Sequence, residues 1–325
     1  SRMRVLGLQG SPRKNGNNDY LLQRFMEAAE GHGALTRTLW VDRMDIRPCK
    51  EFTTCEKKGF CPIDDAMKQE VYALIREADV IVAATPIFFY NMTAQLKALV
   101  DRCQTLWSRK YMLKLKDPGC RIRQGYLLST AASKGKNLFE GLHLTTHYFY
   151  DAVDARYVGS LTYREIEGKG EMAAHPTVAA DVAAAVAALL KPLERRRRVL
   201  FTCRENACRS QMAAGFAQYL AGDKLEVLYG GSSPAEAVNP LMVEAMAEKG
   251  IDMYFRRTRS IDDALAEGPP GVIVTMGCEE NCPFAPGAER VEWQLPDPAG
   301  APLETMRRVR DEIERRVGEL AARLT

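Results

Sequence analysis

The 325-residue sequence contains no run of about 18 apolar residues, so a membrane-spanning helix is not expected. Its first residues lack the basic, apolar and small-residue progression of a secretory leader. Ser1–Met3 reads as an addition ahead of the natural start, and a cytoplasmic location is expected. The formal charge is only +3, with no basic stripe and no aromatics interleaved with one, which argues against nucleic acid as a partner. No internal repeat is visible. With no export signal, nine cysteines point to reduced thiols in catalytic, redox or metal roles, not to a disulfide framework.

What the chain does have is alternation. Strand-like "RVLGLQG" precedes a helical pattern over 18–30. "ALTRTLWV" follows, then a helix near Asp65 to Glu77, "ADVIVAATP", a helix through "AQLKALVDR", then "GYLLST" and "DARYVGSLTY". The alanine-rich "TVAADVAAAVAALLKPL" predicts a helix stopped near Pro192. "ERRRR", Glu194–Arg198, reads as a solvated linker beside that helix end. The alternation then restarts with "VLFTC", a helix over 210–220, "LEVLYGG", a helix in "NPLMVEAMAEKG" and "GVIVTMG". The last helix carries Leu303, Met306, Val309, Ile313, Val317 and Leu320 on one face. The expectation is an α/β protein of two doubly wound parallel-sheet domains, 1–194 and 195–325.

In the second domain, "CRENACRS" follows a strand and opens a helix. The free N–H groups and positive dipole end of such a helix form an anion site and favour the thiolate of Cys203, the nucleophilic form. Arg209 adds a planar fork for a tetrahedral oxyanion, and Ser210 a hydroxyl for the sulfur. The bland alternative is a buried strand-end cysteine beside a surface arginine. These residues resemble the low-molecular-weight tyrosine phosphatase superfamily, and within it the arsenate reductases, over 198–325. The resemblance implies Cys203 as nucleophile, Asn206 as loop-shaping residue, Arg209 as oxyanion clamp, Ser210 as thiolate donor and Asp297 of "LPDPAG" as general acid. Cys278 and Cys282 in "VTMGCEENCPFAPG" resemble the redox segment of arsenate reductases, which implies Cys278 as the second thiol and Cys282 as a relay. A zinc pair is their alternative, but no second pair with ligand spacing lies nearby. Cys208 reads as structural.

In the first domain, "LQGSPRKNGNND" follows the first strand and opens the first helix. It is neither a dinucleotide G-x-G-x-x-G nor a Walker loop, yet Ser11, Arg13, Asn17 and Asn18 offer more donors than a helix cap needs. With "ATPIFFYNMTAQLKALVDR" it resembles the NAD(P)H-dependent FMN reductases and iron–sulfur flavoproteins of the flavodoxin-like fold. The resemblance implies FMN, with Ser11, Arg13, Asn17 and Asn18 at its phosphate. It also sets Pro86, Ile87, Phe88, Phe89 and Asn91 along its ring, with Thr130 and Ala131 of "STAASKG" on a third loop. It implies NADPH or NADH as electron donor and a homo-oligomer formed through this domain. Iron–sulfur flavoproteins carry four cysteines where this chain has Cys49, Cys55 and Cys61, with Phe52 where another is expected. A cubane normally takes four thiolates, so no metal site is expected, and the segment reads as a loop near the flavin or a subunit interface.

The leading expectation is a bifunctional redox enzyme, an FMN-dependent NAD(P)H oxidoreductase fused to a thiol-based arsenate reductase, with flavin electrons feeding the cysteine disulfide. Arsenate is the expected substrate, and a thioredoxin or small thiol the external reductant. The alternative is a tyrosine phosphatase acting on a phosphate ester, fused to a flavin or quinone reductase. "CRSQMA" and "DPAG", where tyrosine phosphatases typically show "CRSP" and "DPY", favour the first. A non-catalytic oxyanion sensor would carry a damaged cradle, and this one is complete.

Overall fold

The computed structural model describes residues 3–277 and 283–325. They form two compact units, one of Met3–Lys114 with Ile122–Pro192, the other of Leu193–Thr325 with Leu115–Arg121.

The first unit runs β1 (Arg4–Gln9), α1 (Asn17–Gly31), β2 (Leu35–Trp40), α2 (Thr54–Lys58), α3 (Tyr72–Glu77), β3 (Val80–Pro86), α4 (Ala94–Arg102), α5 (Gln104–Tyr111), β4 (Gln124–Thr130), α6 (Glu140–Ala152), β5 (Arg156–Tyr163) and α7 (Val178–Glu194). Its sheet is parallel throughout, in the order β2-β1-β3-β4-β5. Strands β1, β3 and β4 are nearly all buried, because helices cover both faces of a parallel sheet, and apolar residues accordingly dominate their middles. Leu21, Leu22, Phe25, Met26 and Ala29 form the stripe that seats α1 against the sheet. The strand order reverses between β1 and β3, where open parallel sheets bind ligands beyond the strand ends. Helix α7 continues two residues past Pro192, whose missing N–H removes one bond of the last turn without breaking it.

The second unit runs β6 (Arg197–Cys203), α8 (Arg209–Ala221), β7 (Leu225–Gly231), α9 (Pro240–Glu248), α10 (Ile261–Ala266), β8 (Val272–Thr275), β9 (Glu289–Glu292) and α11 (Leu303–Leu324). Its sheet is also parallel, in the order β7-β6-β8-β9. The core gathers Val199 and Phe201 of β6, Met212 and Phe216 of α8, and Ile313 and Val317 of α11. Strand β9, "ERVE", escapes sequence reading because it is a charged edge strand with no apolar run. Residues 115–121 join this unit through Lys116, whose N–H donates to Gly250 O and whose carbonyl accepts from Asp252 N, both at 2.8 Å.

The arginine run is not a solvated linker. Arg196 is buried and donates to the carbonyls of Leu193 and Gly222. Arg197 opens β6, and Arg198 pairs with the nearly buried Glu226 at 2.8 Å. The guanidinium heads of Arg196 and Arg198 find carbonyls and a carboxylate, a partnership that charge counting does not reveal.

Candidate functional site

Two sites stand at the ends of the two sheets. In the second unit, β6 delivers Cys203 at its last residue and α8 begins at Arg209, so 203–209 is a loop wrapped around the start of a 13-residue helix. The carbonyls of Cys203, Arg204, Glu205 and Ala207 accept from the N–H groups of Ser232, Ser233, Ala235 and Asn239 at 2.8–3.2 Å. In a trans peptide the following N–H points the opposite way, so the N–H groups of residues 204, 205, 206 and 208 turn inward. Asn206 shows the result, since its N–H reaches Cys203 Sγ at 3.3 Å. The loop is thus a cradle of donors around a thiol, suited to an oxyanion.

Cys203 is 2% exposed, and Ser210 Oγ lies 2.9 Å from its sulfur. Asn206 adopts the left-handed conformation at φ 53° and donates its amide to Ser210 Oγ at 2.7 Å. Its amide oxygen accepts from Gln211 Nε2 and from Arg259 N, each at 3.0 Å. Gln211 and Arg259 hold Asn206 in place, and sequence reading missed both, because their contacts cross between α8 and the loop before α10.

Arg209 is 6% exposed. It donates to Leu295 O at 3.3 Å and faces Asp297 Oδ2 at 3.5 Å, so the expected clamp and general acid meet. Asp297 is half-exposed and also accepts from Ala299 N through Oδ1. Gly277 was likewise missed. A Cβ there would stand 2.7 Å from Arg209 Nη1, and its φ is +85°, so only glycine lets the guanidinium lie over this strand end. Cys208 caps α8. Burial, then the neighbouring Cys203, pushes its thiol up to about 12, which suits a structural role. Cys278 and Cys282 lie outside the described residues.

The first unit holds a cavity of about 300 Å³ at the β1/β3 switch point, lined by Ser11, Arg13, Asn17, Asn18, Pro86, Ile87, Phe88 and Thr130 among others. The first N–H groups of α1, a 15-residue helix, open here without intrahelical acceptors. Asn18 donates to Thr130 Oγ1 at 2.8 Å, and its buried amide oxygen has no partner. A ligand bearing phosphate and hydroxyl groups fits these donors and this orphaned acceptor. Asn17 has another task. Its amide donates to Gly168 O and accepts from Met172 N, so it ties down the loop over 168–172. Ala131 is buried beside the cavity, whose wall is its neighbour Ala132. Phe89 and Asn91 do not line the cavity. Phe88 and Asn91 exchange backbone hydrogen bonds around a tight turn that leaves Phe89 fully exposed, and Asn91 donates to Thr145 Oγ1. Phe89 and Tyr90 occupy this turn at φ 48° and 63°, strained values for aromatic residues.

Residues 3–162 match the NADPH-dependent FMN reductase family, and residues 198–325 the low molecular weight phosphotyrosine protein phosphatase family. Over 166 residues the chain is 32% identical to an iron-sulfur flavoprotein of Methanosarcina thermophila, covering 51% of this chain and 85% of that protein. Over 121 residues it is 39% identical to arsenate reductase 2 of Staphylococcus epidermidis, covering 37% of this chain and 92% of that one. A glutaredoxin arsenate reductase of Synechocystis is 36% identical over 131 residues, 40% of this chain and 99% of its own length. The chain therefore belongs to both families, as an oxidoreductase in which a flavodoxin-like FMN reductase domain is fused to a phosphatase-like arsenate reductase domain.

An iron–sulfur cluster, as in the name of the methanogen relative, does not fit. Cys49, Cys55 and Cys61 are free thiols around a cavity of about 700 Å³, and Phe52 lines the same cavity. A cubane takes four thiolates. Among the described residues no three Cys, His, Asp or Glu side chains converge closely enough to hold a metal ion. Nor does this segment line the flavin-fitting cavity. No helix among the described residues is long and apolar enough to cross a membrane.

Proposed function

We propose that the second unit reduces arsenate to arsenite through Cys203, and that the first oxidises a nicotinamide with bound FMN. The observation that carries the reading is the constellation around one sulfur: inward N–H groups, Ser210 at 2.9 Å, and Arg209 facing Asp297 at 3.5 Å. Cys203 attacks arsenic to form an S–As bond, and Asp297 gives a proton to the departing oxygen, which leaves as water. Arg209 and the loop N–H groups balance the charge on the remaining oxygens. A second thiol, Cys278, then attacks Cys203 sulfur. The S–S bond forms, the S–As electron pair stays on arsenic, and arsenic(V) leaves as arsenite. Cys282 takes over the disulfide and presents it to a thioredoxin or small thiol.

In the first unit, Ser11, Arg13, Asn18 and the start of α1 would hold the FMN phosphate and ribityl groups, with Pro86, Ile87 and Phe88 along the ring. FMN held there would supply hydride transfer from NADPH or NADH. Phe88, Phe89 and Tyr90 leave an exposed aromatic edge that suits contact with a second copy of the chain.

The test is arsenite output from arsenate by the purified full chain, with NADPH, with and without thioredoxin. Arsenate turnover should collapse on Cys203→Ser or Cys278→Ser. Hydrolysis of a phosphate ester with no arsenate turnover would overturn the reading in favour of a phosphatase. Joining the two domains on one chain suggests that flavin electrons reach the cysteine disulfide. Anaerobic NADPH titration of the FMN-loaded oxidised chain reads this directly, and a disulfide left intact rejects it.

A further inference from the structure

Three free thiols, Cys49, Cys55 and Cys61, surround one cavity of about 700 Å³ in the first unit, away from the flavin-fitting cavity. An iron–sulfur cubane normally takes a fourth thiolate that this cavity lacks, and among the described residues its thiols and the carboxylates of Glu51, Glu56 and Asp101 are not gathered into a group that could hold a metal ion. Phe52, half-exposed, stands at the cavity between Cys49 and Cys55 in sequence and supplies no donor atom. Trivalent arsenic has different needs. It makes three bonds in a shallow pyramid, prefers soft sulfur, and carries a lone pair in the fourth direction. Three thiols complete its coordination, and no fourth ligand is needed.

We propose that this cavity binds arsenite as a tris-thiolate of Cys49, Cys55 and Cys61. The step is a condensation: arsenous acid and three thiols give three S–As bonds and three waters. Arsenic stays trivalent and no electrons move. Among the described residues these three sulfurs are not gathered into an ion-holding group, so the proposed binding requires the segment over 49–61 to draw together. Cys49 is exposed and Cys55 and Cys61 are half-buried, so all three are reachable. The source of arsenite rests on the proposed reductase reading, which would generate it on the same chain. The binding itself does not.

The test therefore adds arsenite directly. The full chain carrying Cys203→Ser, Cys278→Ser and Cys282→Ser, reduced and anaerobic, is titrated with sodium arsenite. Readouts are the thiols left reactive to a disulfide reagent and the sulfur coordination number from arsenic X-ray absorption. One arsenite should protect three thiols and show three sulfur neighbours. Further substitution of Cys49, Cys55 or Cys61 by Ser should each abolish stoichiometric binding, while Cys120→Ser should leave it unchanged. Circular dichroism and the melting temperature of each variant check that the fold survives. No binding, two sulfur neighbours, or binding that persists in Cys61→Ser would overturn the proposal, as would assembly of an iron–sulfur cluster at these thiols. Arsenate turnover by the unsubstituted chain reports on the reductase reading separately, so the two can fail independently.

Discussion

Ser210 Oγ lies 2.9 Å from Cys203 Sγ while accepting the Asn206 amide at 2.7 Å, so its hydroxyl is placed to donate to the sulfur whenever that sulfur is a thiolate, which can only accept. Ser210→Ala removes a hydrogen bond to a charged group, worth about 1.5–3 kcal/mol. Arsenate turnover should fall roughly 10- to 100-fold, together with the alkylation rate of Cys203 by iodoacetamide at fixed pH. A variant that turns over normally would remove Ser210 from the machinery.

Asn206 combines a left-handed backbone with buried side-chain bonds to three partners. Asn206→Ala should lose about 2–4 kcal/mol in urea denaturation, from backbone strain and from partners left unpaired. Asn206→Gly relieves the strain and should recover roughly 1 kcal/mol of that loss without recovering activity. Equal stability of the two variants would show that φ is not the constraint.

Gly277→Ala places a methyl 2.7 Å from Arg209 Nη1 at a φ of +85°. Moving the guanidinium by about an ångström should cost kcat/KM for arsenate on the order of 100-fold, with the second unit still folded. Steady-state kinetics with circular dichroism separates displacement from unfolding.

Asp65 and Arg102 form a fully buried pair at 2.6 Å. Burial pushes the Asp65 carboxyl up, but the Arg102 guanidinium and the N–H groups of Arg47 and Met67 outweigh it and hold the carboxyl below its ordinary range. Because the folded-state value is depressed, the stabilisation is present above the ordinary carboxylate range and is lost as pH falls through the folded-state value. The first unit should lose urea resistance in acid, and Asp65→Asn should flatten that dependence. Arg102→Met, which strands the buried carboxylate, should cost about 3–5 kcal/mol at neutral pH.

Asn18→Ala deletes the donor to Thr130 and the unpartnered oxygen in the first cavity. FMN affinity should weaken about tenfold or more, equivalent to about 1.4 kcal/mol, as read by fluorescence titration. Asn17→Ala should instead act through the 168–172 loop, lowering stability more than affinity.

Much of this molecule was legible in sequence. Buried parallel strands leave uninterrupted apolar runs, as in "VIVAATP" and "VLFTC", and amphipathic helices leave stripes such as Met306 to Leu320. Cys203, Asn206, Arg209 and Ser210 sit within one short loop, so their juxtaposition follows from local chain geometry. Elements with weak periodicity escaped: charged β9, the short α2, and α6, whose buried face mixes Leu142, Thr146 and Phe149.

The sequence by itself determined two parallel α/β units, a thiol at a strand end and a donor-rich loop opening the first helix, because hydrophobic period and helix-terminus chemistry are local properties. Tertiary structure alone decided which residues from distant segments complete those sites. It brought Asp297 to Arg209, set Gly277 beneath the same guanidinium and locked Asn206 through Gln211 and Arg259 N–H. It turned Asn17 from the cavity to a loop, buried Arg196 of a charged run and paired Arg198 with Glu226. Each of these is a hydrogen bond, ion pair or close approach across many residues of chain, fixed only when packing closes the units and polar groups removed from water must find partners.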